Sequence, residues 1–583
     1  MHIVHYILLK GCTMSKSSRK EVCIVLAGEA GQGIQSIETT LALILKQYGF
    51  HVYATKEYMS RVRGGVNSTE IRAGAEPVRA FSARTDLLVA LVPEAIDHLQ
   101  HRISKETVVL GDAGVISHPD MLDLTLDALA SEAGGKVYTN TVCLGALCAF
   151  LGIPADFAAP FIEKQFSDKG EDIVANNITA LTSGWKQGQS LVDKLPFTVA
   201  IPRDAACEDR LLINGSEAVA MGAVAGGCNY TCAYPMSPGT GVLNAMAGFS
   251  KTMDIIVEQV EDEIGVINMA LGAWYAGARA LVTSSGGGFA LMSEGLSLSG
   301  MTETPAVIHI AQRPGPATGL PTRTEQGDLN LVVYGGHGDF PRMVYAPGDI
   351  EEAFALTRRA FEQADAMQAP AIILTDQYFV DTYYDSPGFG ALNDAPENAI
   401  VKTKAGYERY ALSENGISPR GIPGFGSGLV SVDSDEHDTS GHITESAEVR
   451  RAMVDKRMKK AAAIRQQALD PVISGNPDAS IMIVGWGSTK NSIIEAMDSD
   501  QLGNAAVVHF PQVFPISEKA AVLLAKAKHI AVIENNVTGQ FADLLEKECG
   551  ISVEERLLQS DGQPFSVETV REWIADFMKN KRS

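Results

Sequence analysis

The sequence predicts an α/β protein of three α/β domains, and three features carry that expectation. Short apolar runs with the length of buried parallel strands recur along most of the chain. Glycine-rich turns follow several of them, and helical patterns separate one run from the next. A chain of 583 residues is also too long for a single hydrophobic core.

Residues 1–19 read as a tail. The opening MHIVHYILLK holds an apolar patch of about eight residues, with no basic region before it and no small-residue cleavage site behind. Met14 follows closely, so Met1 and Met14 both stand as candidate starts. The first domain, 20–195, opens with the strand EVCIVLAG, turns at GEAGQGIQS and enters the helical pattern IETTLALILKQYG. HVYATKEY follows as a strand, SRVRGG as a loop, then STEIRAG, DLLVALVPEAIDHL and TVVLGDAG. Strand, turn and helix in alternation predict a parallel sheet covered on both faces.

The second domain, 196–395, begins with LLINGSEAVAMGAVAGG, read as a glycine-rich turn into a small-residue helix. Its strands are YTCAYP, DIIVEQ, ARALVTSS, PAVIHIAQ, MVYAPG and PAIILTDQ. Residues 396–475 are turn-rich and polar and end in the charged helix EVRRAMVDKRMKKAAAIRQQA, which makes them an ordered connecting segment. The third domain, 476–583, alternates again through IMIVGWGS, NAAVVHF and HIAVIENN.

The formal net charge of −22 argues against a nucleic-acid or anionic-membrane surface, because both need clustered positive charge. No apolar run reaches the ~18 residues of a membrane span. Eight cysteines without a C-x-x-C pair suit a reducing cytoplasm and supply no iron–sulfur ligand set; the closest spacing is Cys228 to Cys232.

Gly28, Gly31 and Gly33 stand at a strand–helix junction, where backbone amides can hold an anion or the glycines can simply permit a tight turn. The spacing is not G-x-G-x-x-G, and the strand near residue 52 lacks a ribose-binding acid, which disfavours a nicotinamide-dependent dehydrogenase. Arg61 and Arg63 flank a glycine pair with Lys56 shortly before, suited to phosphate or carboxylate, or equally to an exposed turn.

An ordered series in the second domain is more specific. Tyr234-Pro-Met-Ser237-Pro-Gly-Thr240, Glu261-Asp-Glu263-Ile-Gly, TSSGGGFALMSEGL and AQRPGPATGLPTRTEQGDL together resemble the pyrimidine-binding half of the 2-oxoacid:ferredoxin oxidoreductases, which are thiamine-diphosphate enzymes. GEAGQGI and EYMSRVRGG resemble the family's gamma domain, and FPQVFPISEK with VIENNVTGQFADLL its transketolase-like C-terminal domain II. A gamma domain ahead of an alpha domain is the layout of the 2-oxoglutarate synthase (KorA-like) alpha subunit.

The resemblance implies site residues. A family glutamate touches N1′ of the aminopyrimidine, and the matching position is Glu263. A carboxylate beside Ile264 and Ile267 is partly desolvated and able to share a proton. The helix macrodipole accounts for Glu258, Glu261 and Asp262 wherever the helix sits. Arg313, after PAVIHIAQ, matches the arginine that holds the substrate carboxylate; Thr322 and Ser237 match positions lining that pocket. Family members often carry threonine where Ser237 stands. Gly286, Gly287 and Gly288 allow close approach of the cofactor's pyrimidine side, or form a steric turn. Glu436, His437, Asp438 and His442 read as surface-turn polarity rather than a metal site.

The Gly-Asp-Gly and asparagine set for magnesium and the clustered cysteines of a 4Fe–4S centre are missing. The resemblance places both on a separate beta subunit that shares the thiamine diphosphate. The implied reaction is oxidative decarboxylation of a 2-oxo acid, 2-oxoglutarate first, with coenzyme A as co-substrate and ferredoxin as electron carrier. Lys56, Arg61, Arg63, Gly31 and Gly33 then mark the coenzyme A side. A pyruvate or branched-chain 2-oxo acid subunit is the alternative, and a non-catalytic assembly subunit is disfavoured by retention of Glu263 and Arg313.

Overall fold

A computed structural model describes residues 16–60, 65–391, 396–497 and 505–581. Its chain divides into two compact units: Met1–Val52, Arg63–Pro77 and Arg84–Glu208 form the first, and Tyr53–Val62, Val78–Ala83 and Asp209–Ser583 the second.

In the first unit the strand Glu21–Glu29 runs through the core, with Val22, Cys23, Ile24, Leu26 and Ala27 wholly buried. Such a strand is apolar at successive positions because both its faces are covered. Leu87–Ala90, Val108–Gly111 and Leu122–Asp123 add to one side of it, all parallel. Its other neighbour, Val66–Gly74, is antiparallel, which corrects the expectation of a purely parallel sheet. Only eight residues separate Glu57 from Val66, fewer than the dozen or so a parallel crossover takes.

The second unit is built on a seven-stranded sheet in the order Ile256–Gln259, Tyr230–Ala233, Ala280–Ser284, Ala306–Gln312, Pro370–Asp376, Met343–Tyr345, Gln512–Phe514. Every pair is parallel except the last. The central strands 280–284, 306–312 and 370–376 are buried at each position, so polar side chains within them must find partners. They do so in a line. Thr283 Oγ1 donates to Gly239 O at 3.0 Å and meets His309 Nδ1 at 2.9 Å, while His309 Nε2 meets Thr375 Oγ1 at 2.9 Å. Burial pushes the His309 pKa down to about 3, so the ring is neutral, and the line closes with the proton on Nδ1. Leu211–Asn214, read from sequence as part of a turn, is a strand; Asn214 and Glu217 then form a capping box that starts the helix Gly215–Ala225.

A five-stranded sheet follows in the order Val472–Gly475, Ala505–Phe510, Ile481–Trp486, His529–Glu534, Glu555–Leu558. Between the two sheets lie irregular backbone and the helix Ala447–Gln466. That helix buries Lys456 and Lys460 against Glu303, which closes the helix Ser293–Thr302 in a left-handed conformation. His437 is wholly buried, with its ring 3.9 Å from that of Tyr410, and Glu436 is paired with Arg457 and Arg450. Surface-turn polarity is therefore the wrong account of His437, because the turn folds inward onto an aromatic face. No helix among the described residues is long and apolar enough to cross a membrane.

Candidate active site

Glu263 is the first residue of the helix Glu263–Ala276 and is 2% exposed. The three successive acids at the start of that helix have separate tasks. Asp262 is the N-cap and accepts from Gly265 N at 2.8 Å, and Glu261 is exposed. Glu263 turns inward, where Ser284 Oγ donates to its Oε1 at 3.0 Å. Ser284 is the only hydrogen-bond partner of that carboxylate among the described residues, and it is neutral. A buried carboxylate held by one hydroxyl is an incomplete arrangement, since burial of the charge calls for stronger compensation.

Ser284 ends the strand Ala280–Ser284, and the glycine triple begins the helix Gly286–Leu291 immediately after. A Cβ on Gly288 would collide with Ser284 Oγ and stand 2.8 Å from Glu263 Cδ. On the other side, a Cβ on Gly286 would collide with the carboxylate of Asp328. Gly287 faces open space, with Ala317 O 3.9 Å and Met236 Sδ 4.0 Å from where its Cβ would be. The triple is thus a thin wall with a carboxylate against each end.

Two further loops meet the same carboxyl edge of the sheet, where open α/β sheets gather ligands. The loop after Tyr230–Ala233 lies on the strand end, as a Cβ on Gly239 would be 2.6 Å from Ser284 O. It presents Ser237, which is exposed, and the Ser237 carbonyl accepts from Arg313 Nη1 at 2.7 Å. Arg313 follows the strand Ala306–Gln312 and forms no salt bridge among the described residues. Burial lowers its pKa, and the nearby Asp328 charge opposes that shift. Thr322 is half-buried on the same loop, its carbonyl accepting from Arg323 Nη1 at 3.1 Å.

The structure therefore brings Glu263 and Gly288 together, and Arg313 with Ser237. Sequence reasoning missed Ser284 and Asp328. The available signals were a serine at a strand end before three glycines and an aspartate closing TRTEQGD.

Gly31 and Gly33, both with left-handed backbone (φ 93° and 74°), line a 530 Å³ cavity in the first unit with Asp112, Asp127, Lys136 and Asn140. Lys56 belongs to the second unit, and Arg61 and Arg63 lie outside the described residues. Cys228 and Cys232 are buried thiols whose pKa values burial pushes up to about 11 and about 12. Among the described residues one potential metal-ligand group appears, His51, Asp204 and Cys207, in which His51 Nε2 stands 3.7 Å from Asp204 Oδ2.

Residues 221–456 match the family described as "Pyruvate flavodoxin/ferredoxin oxidoreductase, thiamine diP-bdg", and residues 23–187 match "Pyruvate ferredoxin/flavodoxin oxidoreductase". The alpha subunit of 2-oxoacid:ferredoxin oxidoreductase 2 from Aeropyrum pernix is 28% identical over 93% of this chain and 96% of that one. The 2-oxoglutarate oxidoreductase subunit KorA of Mycobacterium tuberculosis is 27% identical over 90% of this chain and 87% of its own. Among solved structures, the 2-oxoglutarate:ferredoxin oxidoreductase from Magnetococcus marinus, with 2-oxoglutarate, coenzyme A and succinyl-CoA bound, superposes with a TM-score of 0.89. It is 29% identical, over 96% of this chain and 99% of that one. With both of its large segments matching models of that group and nearly its whole length shared with alpha subunits, the chain is a homologue of the 2-oxoacid:ferredoxin oxidoreductase alpha subunits.

Proposed function

We propose that this alpha subunit serves an enzyme that oxidatively decarboxylates 2-oxoglutarate, passing the acyl group to coenzyme A and the electrons to a ferredoxin. The observation that carries the reading is the Glu263 carboxylate, buried with one neutral partner and walled by glycine. The residues present fit the pyrimidine end of thiamine diphosphate: an incompletely partnered buried acid, and a wall that admits no side chain at Gly288. When bound, that group supplies the carbon nucleophile and the electron sink for loss of carbon dioxide.

This chain's residues do the rest. Ser284 Oγ fixes Glu263 Oε1, which leaves the carboxylate's other oxygen to hold or release a proton toward a ring nitrogen. One edge of the Arg313 guanidinium is anchored on the Ser237 carbonyl, and the remaining donors suit a two-pronged contact with a substrate carboxylate. The Ser237 and Thr322 hydroxyls complete the lining of that pocket. In the first unit, the cavity at Gly31 and Gly33 takes coenzyme A, with Lys136 as its cation, although Asp127 holds Lys136 at 2.6 Å.

A beta subunit supplies magnesium, the 4Fe–4S cluster and the diphosphate side. Its support here is apolar: Ile264 is 52% exposed and Leu291 51%, on the two helices that carry Glu263 and the glycine triple. Ferredoxin docks on that partner, because a chain of net charge −22 repels an acidic carrier. Seven free cysteines among the described residues, six of them buried, suit the cytoplasm.

The test is dye reduction by the assembled enzyme with 2-oxoglutarate, pyruvate and branched-chain 2-oxo acids, with and without coenzyme A. The expected outcome is coenzyme A-dependent turnover fastest with 2-oxoglutarate, and a KM for it raised on the order of 100-fold by Arg313→Ala. Equal KM values in the variant and the wild type would remove Arg313 from the substrate site.

A further inference from the structure

Asp328 occupies the N-cap of the helix Leu329–Tyr334 but caps nothing, for its side chain accepts no bond from the first turn. It points instead at the Cα of Gly286, on the opposite end of the glycine wall from Glu263. Its Oδ2 is buried and has no hydrogen-bond partner. It does not pair with Arg313 either, although each feels the other's charge. A carboxylate with a guanidinium nearby normally closes the gap.

The backbone explains why this one does not. Asp328 N donates to Gln312 Oε1 at 2.9 Å, and Gln312 Nε2 donates to Thr375 O at 3.0 Å, which ties the residue to two central strands. Gln326 is bonded to Trp486 O at 2.8 Å and to Asn535 N at 2.9 Å, and Gln540 grips Gly327 O at 2.8 Å. Held on both sides, the loop fixes Asp328 near Arg313 and out of bonding reach of it.

We infer that Asp328 is a positioning residue whose protonation decides whether Arg313 is open to the substrate. As a neutral acid it leaves the guanidinium to the carboxylate of the 2-oxo acid. As a carboxylate it supplies the counter-charge itself and repels the substrate. Substrate binding therefore carries a proton with it. The charged groups facing Asp328 are Arg313, which favours its ionisation, and Glu325, which opposes it. Burial is the largest influence and, with Glu325, pushes the Asp328 pKa up to about 7. The switch then falls in the physiological range.

The inference rests on Arg313 binding the substrate carboxylate, as proposed above. The experiment is the pH dependence of KM and of kcat for 2-oxoglutarate in the assembled enzyme, from pH 6 to 8.5, for wild type, Asp328→Asn and Glu325→Gln. Wild-type KM is expected to be flat below pH 7 and to rise about five- to tenfold by pH 8.5, with kcat changing much less. Asp328→Asn is expected to flatten that rise, and Glu325→Gln to move its onset about half a pH unit lower. A flat wild-type KM, or the same slope and onset in both variants, overturns the inference. If Arg313→Ala leaves KM unchanged, the substrate site itself has been misplaced and both statements fall. If Arg313→Ala raises KM while Asp328→Asn keeps the wild-type slope, only the role of Asp328 falls. Should Asp328→Asn fail to assemble, Glu325→Gln decides alone.

Discussion

Two glutamates flank the same seven-stranded sheet, each 2% exposed, in opposite company. Glu303 receives Lys456 Nζ at 2.6 Å and 2.7 Å on its two oxygens, and Lys460 Nζ as well, while Arg409 bonds its carbonyl at 2.6 Å. The lysine charges hold its pKa near 2 against the opposing effect of burial, well below the ordinary carboxylate range. Glu263 has one serine hydroxyl. Equal burial with unequal compensation sets a structural acid apart from the one we propose as catalytic. Where the molecule balances a buried charge by itself, nothing remains for a ligand to do; where it leaves the balance open, a bound group has to complete it.

Replacing each acid by its amide breaks this comparison most directly. Glu263→Gln is expected to lower kcat by about 10²–10⁴-fold with the thermal midpoint unchanged, measured by dye reduction and a melting scan on the assembled enzyme. Full activity in that variant would end the catalytic assignment. Glu303→Gln is expected to do the reverse, costing about 3–5 kcal/mol of stability while turnover per folded molecule stays near wild type. The pH dependence has a definite sign. Because the folded pKa of Glu303 lies below its unfolded value, its contribution is complete above the ordinary carboxylate range and is lost as pH falls toward about 2. The stability gap between wild type and Glu303→Gln should therefore narrow in urea titrations run from pH 5 down to pH 3.

Smaller changes sharpen the contrast. Gly288→Ala places a methyl group against Glu263 and Ser284, so kcat is expected to drop on the order of 100-fold, with a much smaller effect from Gly287→Ala, where there is space. Similar losses in both would mean that the wall acts only as a turn. Ser284→Ala removes the one hydroxyl that orients the Glu263 carboxylate, for an expected loss of about tenfold in kcat.

Much of the fold was legible because its signals are local. Apolar runs such as PAVIHIAQ and PAIILTDQ became strands buried at every position. The acids before residue 263 read less well: Glu258 lies in the strand Ile256–Gln259 and Glu261 ahead of the helix, so neither stands in its first turn, and Asp262 sits at the helix start as the N-cap. The antiparallel Val66–Gly74 and the buried His437 were not legible. One depends on a connection too short to cross over, the other on an aromatic ring 27 positions earlier in the chain.

The sequence by itself determined the α/β class and most of the strand and helix runs, since these follow from side-chain periodicity and from residues within one turn of each other. Only the tertiary structure decided that Ser284 and Gly288 close on Glu263, that Asp328 stops short of Arg313, and that Lys456 reaches Glu303 across 153 positions. Contacts of that kind are set by strand order and by the anchoring of loops between sheets, and neither leaves a periodic trace in the chain.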